Sequence, residues 1–111
     1  MTFIPSRGDI VWLTFNPQVG HEQKGRRPAL VLSPEEYNHK VGLAIFCPIT
    51  SRVKGYPFET EIPDNLPIGG VILSDQVKSL DWRERKAEFI CKLPQKAVDE
   101  VLGKLYLLLK Q

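Results

Sequence analysis

Residues 20–33 read Gly20-His21-Glu22-Gln23-Lys24-Gly25-Arg26-Arg27-Pro28-Ala29-Leu30-Val31-Leu32-Ser33. A polar segment bracketed by glycines carries an imidazole, a carboxylate, an amide and three cations, then enters an apolar run. A turn needs only glycine and a few polar atoms. The surplus of acid–base and phosphate-binding groups points to a ligand, and the ligand these groups suit is a phosphodiester.

Metal-free cleavage of RNA needs three things. A base takes the proton from the 2′-hydroxyl, a cation stabilises charge building on phosphorus, and an acid protonates the departing 5′-oxygen. Arginine fits the second task, because its guanidinium stays charged and offers a planar fork to phosphate oxygens. Arg27 precedes Pro28, which biases its backbone to an extended form at the entrance of a strand. Glu22 and His21 are the candidate proton carriers, Glu22 either as base or as a partner that orients Arg27. Lys24 and Arg26 supply general attraction for a polyanion, and Gln23 shapes the loop or touches a base. A second segment, Thr50-Ser51-Arg52-Val53-Lys54-Gly55-Tyr56-Pro57, follows an apolar strand end with hydroxyls, two cations and a ring. Hydroxyls donate to phosphate oxygens and tyrosine stacks on unpaired bases, the composition of a single-strand binding loop.

These segments must be positioned by a small scaffold. The chain has 111 residues, 42% hydrophobic and 25% charged, with a net charge of +2. That size predicts one domain over residues 1–111 with one core. The mild charge neither demands nor excludes nucleic acid, so any basic footprint is local: Lys24, Arg26, Arg27, Arg52 and Lys54. Residues 9–15 are β-branched and aromatic and end at Asn16-Pro17, which predicts a strand and a loop. Further strands are expected over 28–33, 41–49, 57–62, 71–80 and 88–93. Ser33-Pro34-Glu35-Glu36 predicts a Ser33-capped helical turn through Tyr37. Over 94–110, Val98, Val101, Leu102, Leu105, Leu108 and Leu109 fall at helical spacing, the apolar face of a terminal helix for core or dimer packing. Many short strands and one helix predict a mainly β fold, a small twisted barrel or a pair of packed sheets.

Other residues invite plainer readings. Cys47 and Cys91 lie in apolar runs without metal-ligand spacing and read as reduced, buried thiols. Trp12 reads as core, Trp82 as exposed or interfacial because charges flank it, and His39 as solvated. Asn16 begins a loop that can read splayed bases. The N-terminus lacks a signal-peptide core and no run is long enough to span a membrane, so a cytoplasmic protein is expected.

Gly8-Asp9-Ile10-Val11-Trp12, Asn16-Pro17, the Gly20–Ser33 segment, Lys54-Gly55-Tyr56-Pro57-Phe58-Glu59 and Asp75-Gln76-Val77-Lys78-Ser79 together resemble the MazF/PemK family. Its members are toxins of bacterial toxin–antitoxin pairs. The resemblance implies an SH3-like barrel of MazF/CcdB type with a C-terminal helix. It implies a homodimer that cuts single-stranded RNA at a short sequence without metal or cofactor, leaving 2′,3′-cyclic phosphate and 5′-hydroxyl ends and inhibiting translation and growth. It also implies a MazE-like antitoxin with an acidic segment that occupies the RNA groove.

By that resemblance Arg27 and Thr50 match the catalytic arginine and threonine, and Glu22 the carboxylate beside them. His21 and Asp75 match positions implicated in the PemK/Kid branch. That branch's arginine is replaced here by Leu73, which favours the MazF-type pairing of Arg27 with Thr50. Asn16, Gln23, Lys24, Arg26, Arg52, Lys54, Tyr56 and Gln76 form the candidate RNA-binding set. A gyrase-binding toxin like CcdB is the alternative, but it depends on a terminal Trp-Gly-Ile and this chain ends Leu108-Leu109-Lys110-Gln111. A barrel that binds RNA without cutting it is a third reading.

Overall fold

A computed structural model describes residues 3–15 and 25–110. The elements are β1 (Asp9–Phe15), β2 (Gly25–Val31), α1 (Glu35–Val41), β3 (Leu43–Thr50), β4 (Glu59–Glu61), β5 (Val71–Leu73), β6 (Lys78–Asp81), β7 (Glu88–Lys92) and α2 (Gln95–Leu109). The seven strands form one antiparallel sheet in the order β4-β5-β3-β2-β1-β7, with β6 also paired to β3. The path ends at β4 and β7 without a pairing between them, so the expected barrel is an open sheet. α2 spans the open side: it leaves β7 through Leu93-Pro94 and its Lys104 Nζ donates to the Glu59 carbonyl of β4 at 2.6 Å.

The central strands are apolar on both faces, which is why 28–33 and 43–49 read as continuous runs rather than alternating ones. Val11, Leu13, Ala29, Val31, Ala44, Phe46 and Trp82 form one buried cluster. Ile10, Leu30, Cys47, Ile49 and Ile72 form the other, closed by Val98 and Val101 of α2. Of the predicted apolar face of α2, Leu102 and Leu105 are half-buried, whereas Leu108 and Leu109 are exposed. No helix among the described residues is long and apolar enough to cross a membrane.

The single strand expected over 71–80 divides into β5 and β6. Ser74 and Asp75 turn the chain, with the Gln76 N–H on the Leu73 carbonyl at 3.2 Å, because short polar side chains favour turns over ladders. Both pieces pair with the same edge of β3: β6 with residues 43–46 and β5 with Ile49 and Thr50. Pro48 falls between the two ladders. The Ile45 carbonyl accepts Leu32 N–H on the opposite edge, and alternation then turns Pro48 toward the gap, where its missing N–H costs no ladder bond.

α1 is longer than the predicted turn and ends at Gly42, whose φ of 81° and N–H bond to the Asn38 carbonyl at 3.0 Å make a left-handed cap. Its N-cap position is Pro34, without a side-chain cap. Ser33 does something else: its hydroxyl donates to Asn38 Oδ1 and accepts the Ile45 N–H at 2.8 Å. Trp82 departs from its expected exposure. It is buried, its indole N–H donates to the Asn38 carbonyl at 2.9 Å, and the Arg83 guanidinium covers its ring at 4.8 Å. Flanking charges hid this, because only the aromatic ring faces inward.

Cys47 is buried and Cys91 half-buried, both as free thiols. Burial, reinforced by the charge of Asp75, pushes the Cys47 thiol up to about 12. His39 is exposed, as expected.

Asn38 is the knot of this end of the fold. It is fully buried, and its amide N–H groups donate to the Pro5 carbonyl at 2.8 Å and the Ser33 carbonyl at 3.0 Å. Asn38→Ala strands those acceptors and the Ser33 hydroxyl. The expected cost is about 2–4 kcal/mol, read as a lowered urea midpoint.

Candidate active site at the ends of β2 and β3

The site is set by strand register. Ala29 pairs with Pro48, Leu30 with Cys47 and Val31 with Phe46. Two further steps in the same register bring Arg27 level with Thr50, on the face that carries Ala29 and Pro48. Arg27 lies in the exposed first half of β2, with Leu13 of β1 across from it on its other side. Its guanidinium has no hydrogen-bond or ion-pair partner among the described residues. An arginine held in this half of the strand, with no partner among the described residues, suits an anion.

Arg27 and Thr50 border two hollows. One has an apolar floor that includes Ala29, Phe46 and Leu80, with Gln76 and Lys78 also in its wall. The other is a polar groove of about 560 Å³ in which Trp12, Arg26, Ser51 and Arg52 join the pair. The Thr50 hydroxyl accepts the Arg52 N–H at 3.1 Å. This local turn leaves the hydroxyl proton free to donate while fixing where the oxygen sits.

The two cations preceding Pro28 differ in what they do. Arg26 is spent inside the protein, with Nη1 on Thr14 Oγ1 at 2.7 Å and Nη2 on the Lys86 carbonyl at 2.7 Å and Glu88 Oε1 at 3.2 Å. It clamps β2 to β1 and β7, and Glu88 offsets part of its charge. Of the remaining candidates, Lys54 and Tyr56 lie in the loop between β3 and β4, outside both hollows. Tyr56 is tied by its hydroxyl to Asp75 Oδ1 at 2.9 Å. Asn16, His21, Glu22, Gln23 and Lys24 lie outside the described residues.

Three contributors escaped the sequence reading. Trp12 is half-buried and lines the polar groove instead of packing in the core. Alternation with buried Val11 and Leu13 is the signal that assigns it to the opposite face. Lys78 adds a cation to the apolar hollow. Gly70 is the third: with φ of +108°, it runs so close to β3 that a Cβ there would meet the Thr50 carbonyl oxygen at 2.3 Å. The backbone at Thr50 is therefore seated against a glycine from a distant loop.

The sequence profile of the PemK-like, MazF-like toxins of type II toxin–antitoxin systems matches residues 6–109. The chain belongs to this family. It is 48% identical over 85 residues to the endoribonuclease toxin MazF of Escherichia coli K12, covering 77% of this chain and 76% of that one. The crystal structure of MazF from Deinococcus radiodurans superposes with a TM-score of 0.92 at 54% identity, covering 99% of this chain and all of that one. MazF in a MazE–MazF crystal from the same organism gives 0.91 at 55% identity, with 97% of each chain covered. Membership in the MazF-like toxin family thus extends through the open sheet and α2 alike.

Gly70→Ala tests the seating of Thr50 in this MazF-like fold. The substitution combines left-handed strain with a backbone clash. It is expected to cost about 2 kcal/mol or more in denaturant unfolding, and to perturb the Thr50 and Ser51 amide resonances more than those of α1.

Proposed function

We propose that this protein is a sequence-specific, metal-independent endoribonuclease toxin that cuts single-stranded RNA. The observation that carries the reading is the juxtaposition of Arg27, whose donors are unspent among the described residues, and the Thr50 hydroxyl at an open polar groove. The named relatives are endoribonucleases, which favours cutting over a gyrase-binding or a non-cleaving barrel.

In this mechanism the 2′-oxygen attacks phosphorus and the bond to the 5′-oxygen breaks. The products are a 2′,3′-cyclic phosphate and a 5′-hydroxyl. The 2′-hydroxyl proton passes to Glu22 or His21, and a proton is delivered to the leaving oxygen. Arg27 holds the negative charge that grows on the phosphoryl oxygens, where a fixed cation contributes most. Thr50 donates its free proton to the same group. Arg52, Lys54, Tyr56 and Gln76 meet flanking nucleotides, joined by Asn16, Gln23 and Lys24, whereas Arg26 contributes through its clamp on β2.

The protein works in the cytoplasm as a homodimer, and a MazE-like antitoxin is its inhibitor. Solved MazE–MazF complexes of Deinococcus radiodurans support that partner. Support for a second copy comes from the last turn of α2, where Tyr106, Leu107, Leu108 and Leu109 are 46–76% exposed, more apolar surface than a lone helix end explains. Leu109→Glu is expected to shift the sedimentation coefficient from dimer to monomer.

Incubation with mixed-sequence RNA in excess EDTA, followed by sequencing and mass analysis of fragment ends, tests the activity. Arg27→Ala is expected to lower kcat about 10²–10³-fold, the scale for a lost transition-state donor. Thr50→Val keeps the shape and removes both the donation to phosphate and the bond accepted from the Arg52 N–H, for a loss of about tenfold or more. Intact RNA with wild type, or equal cutting by Arg27→Ala, overturns the reading.

A further inference from the structure

The loop between β3 and β4 is held at two points by carboxylates that the catalytic scheme does not use. Glu59 opens β4, and its two carboxylate oxygens accept the Lys54 N–H at 2.9 Å and the Gly55 N–H at 2.8 Å. Gly55 has φ of +83°, a conformation that turns successive N–H groups toward one concave spot suited to an anion. Glu59 already fills that spot, so it is a clasp and not a phosphate site. Glu59 is itself fixed: its N–H donates to the Tyr56 carbonyl at 3.2 Å, and its carbonyl takes Lys104 Nζ from α2.

The second point is the bond from the Tyr56 hydroxyl to Asp75. Asp75 lies in the turn joining β5 to β6, and its neighbour Gln76 lines the apolar hollow beside Arg27 and Thr50. Burial first, then the Asp75 hydrogen bond and the charges of Asp75 and Glu59, push the Tyr56 hydroxyl above its ordinary value. A phenol is a protonated donor at neutral pH in any case, and this one spends its proton on Asp75.

We infer that Glu59 and Asp75 are positioning residues that pre-set residues 51–58 as the base-reading wall of the site, and thereby determine which RNA sequences are cut. This rests on the endoribonuclease reading above. A loop without anchors must be ordered by each substrate at an entropic cost, and it discriminates poorly between bases because it can adapt to several. A clasped loop presents Arg52 and the Tyr56 ring in one arrangement. Asp75 acts through Tyr56 and needs no contact with the reacting phosphate.

The test compares wild type with Glu59→Ala, Glu59→Gln, Asp75→Ala, Asp75→Asn and Tyr56→Phe. Glu59→Ala and Asp75→Ala are expected to raise KM about tenfold and broaden the set of cleaved sequences, with kcat within about twofold. Asp75→Asn, which keeps an acceptor, restores wild-type KM, and adding Tyr56→Phe to Asp75→Ala brings no further loss. A fall in kcat at unchanged KM would make these residues catalytic and overturn the inference, as would an unchanged cleavage pattern. Glu59→Gln keeps one acceptor and serves if the alanine variant fails to fold. Hydrogen exchange in the RNA-free protein is independent of activity. The Lys54 and Gly55 amides are expected to exchange at least tenfold faster in Glu59→Ala, and unprotected amides in wild type overturn the clasp. If wild type cuts no RNA, the functional reading falls while the exchange result still decides the clasp.

Discussion

The antiparallel register between β2 and β3 governs everything at the candidate site. With Ala29 across from Pro48 and Val31 across from Phe46, odd residues of β2 and even residues of β3 share one face. Both faces are buried along the inner halves of these strands, so a slip by one residue would exchange two complete apolar sets between the faces. The cores on either side thus lock the register, and the locked register carries outward to the exposed ends. Arg27 and Thr50 meet there because Ala29, Leu30, Phe46 and Cys47 are fixed behind them.

The same strand also explains why a groove exists. β3 is paired along one edge with β6 at its beginning and with β5 at its end. Between those ladders the chain leaves the sheet at Ser74 and Asp75, and Pro48 has no N–H to leave unsatisfied. The turn returns the polar side chain of Gln76 to the wall of the hollow. Gly70 runs close beside Thr50, where any larger residue would meet the Thr50 carbonyl. At the open ends of the sheet, α2 restrains β4 through Lys104.

Much of this was legible in the sequence. Hydrophobic periodicity identified α2, and β-branched and aromatic composition the strand through 9–15, whereas the strand expected from Pro28 begins at Gly25, so the Arg27-Pro28 step lies inside it. The MazF/PemK resemblance supplied the pairing with Thr50, which no local pattern contains, because residues 27 and 50 come to border the same hollows only through the sheet. What escaped was of one kind. Trp12, Trp82 and Asp75 have side chains whose neighbours come from distant parts of the chain. Trp82 bonds Asn38 and Asp75 bonds Tyr56. Residue type and spacing report on local geometry, and these contacts depend on topology. The division of 71–80 into two strands had a local signal: Val71-Ile72-Leu73 is followed by the polar run Ser74-Asp75-Gln76, whose short side chains favour a turn.

The arrangement of charge then follows from what each cation must be kept from doing. Arg26 and Arg27 are neighbours on an extended strand and so face opposite ways. Arg26 finds Thr14, the Lys86 carbonyl and Glu88, and stiffens the sheet. Arg27 emerges over the junction with Thr50, where the described residues offer it no carboxylate. Glu59 and Asp75 are occupied by backbone N–H groups and a phenol. Each of those bonds stabilises the loop between β3 and β4. A carboxylate placed across from Arg27 would hold it in a surface ion pair of about 0–1 kcal/mol. Among the described residues no carboxylate claims the charge of Arg27, and its interaction with a substrate anion in a partly desolvated groove is worth more than a surface pair.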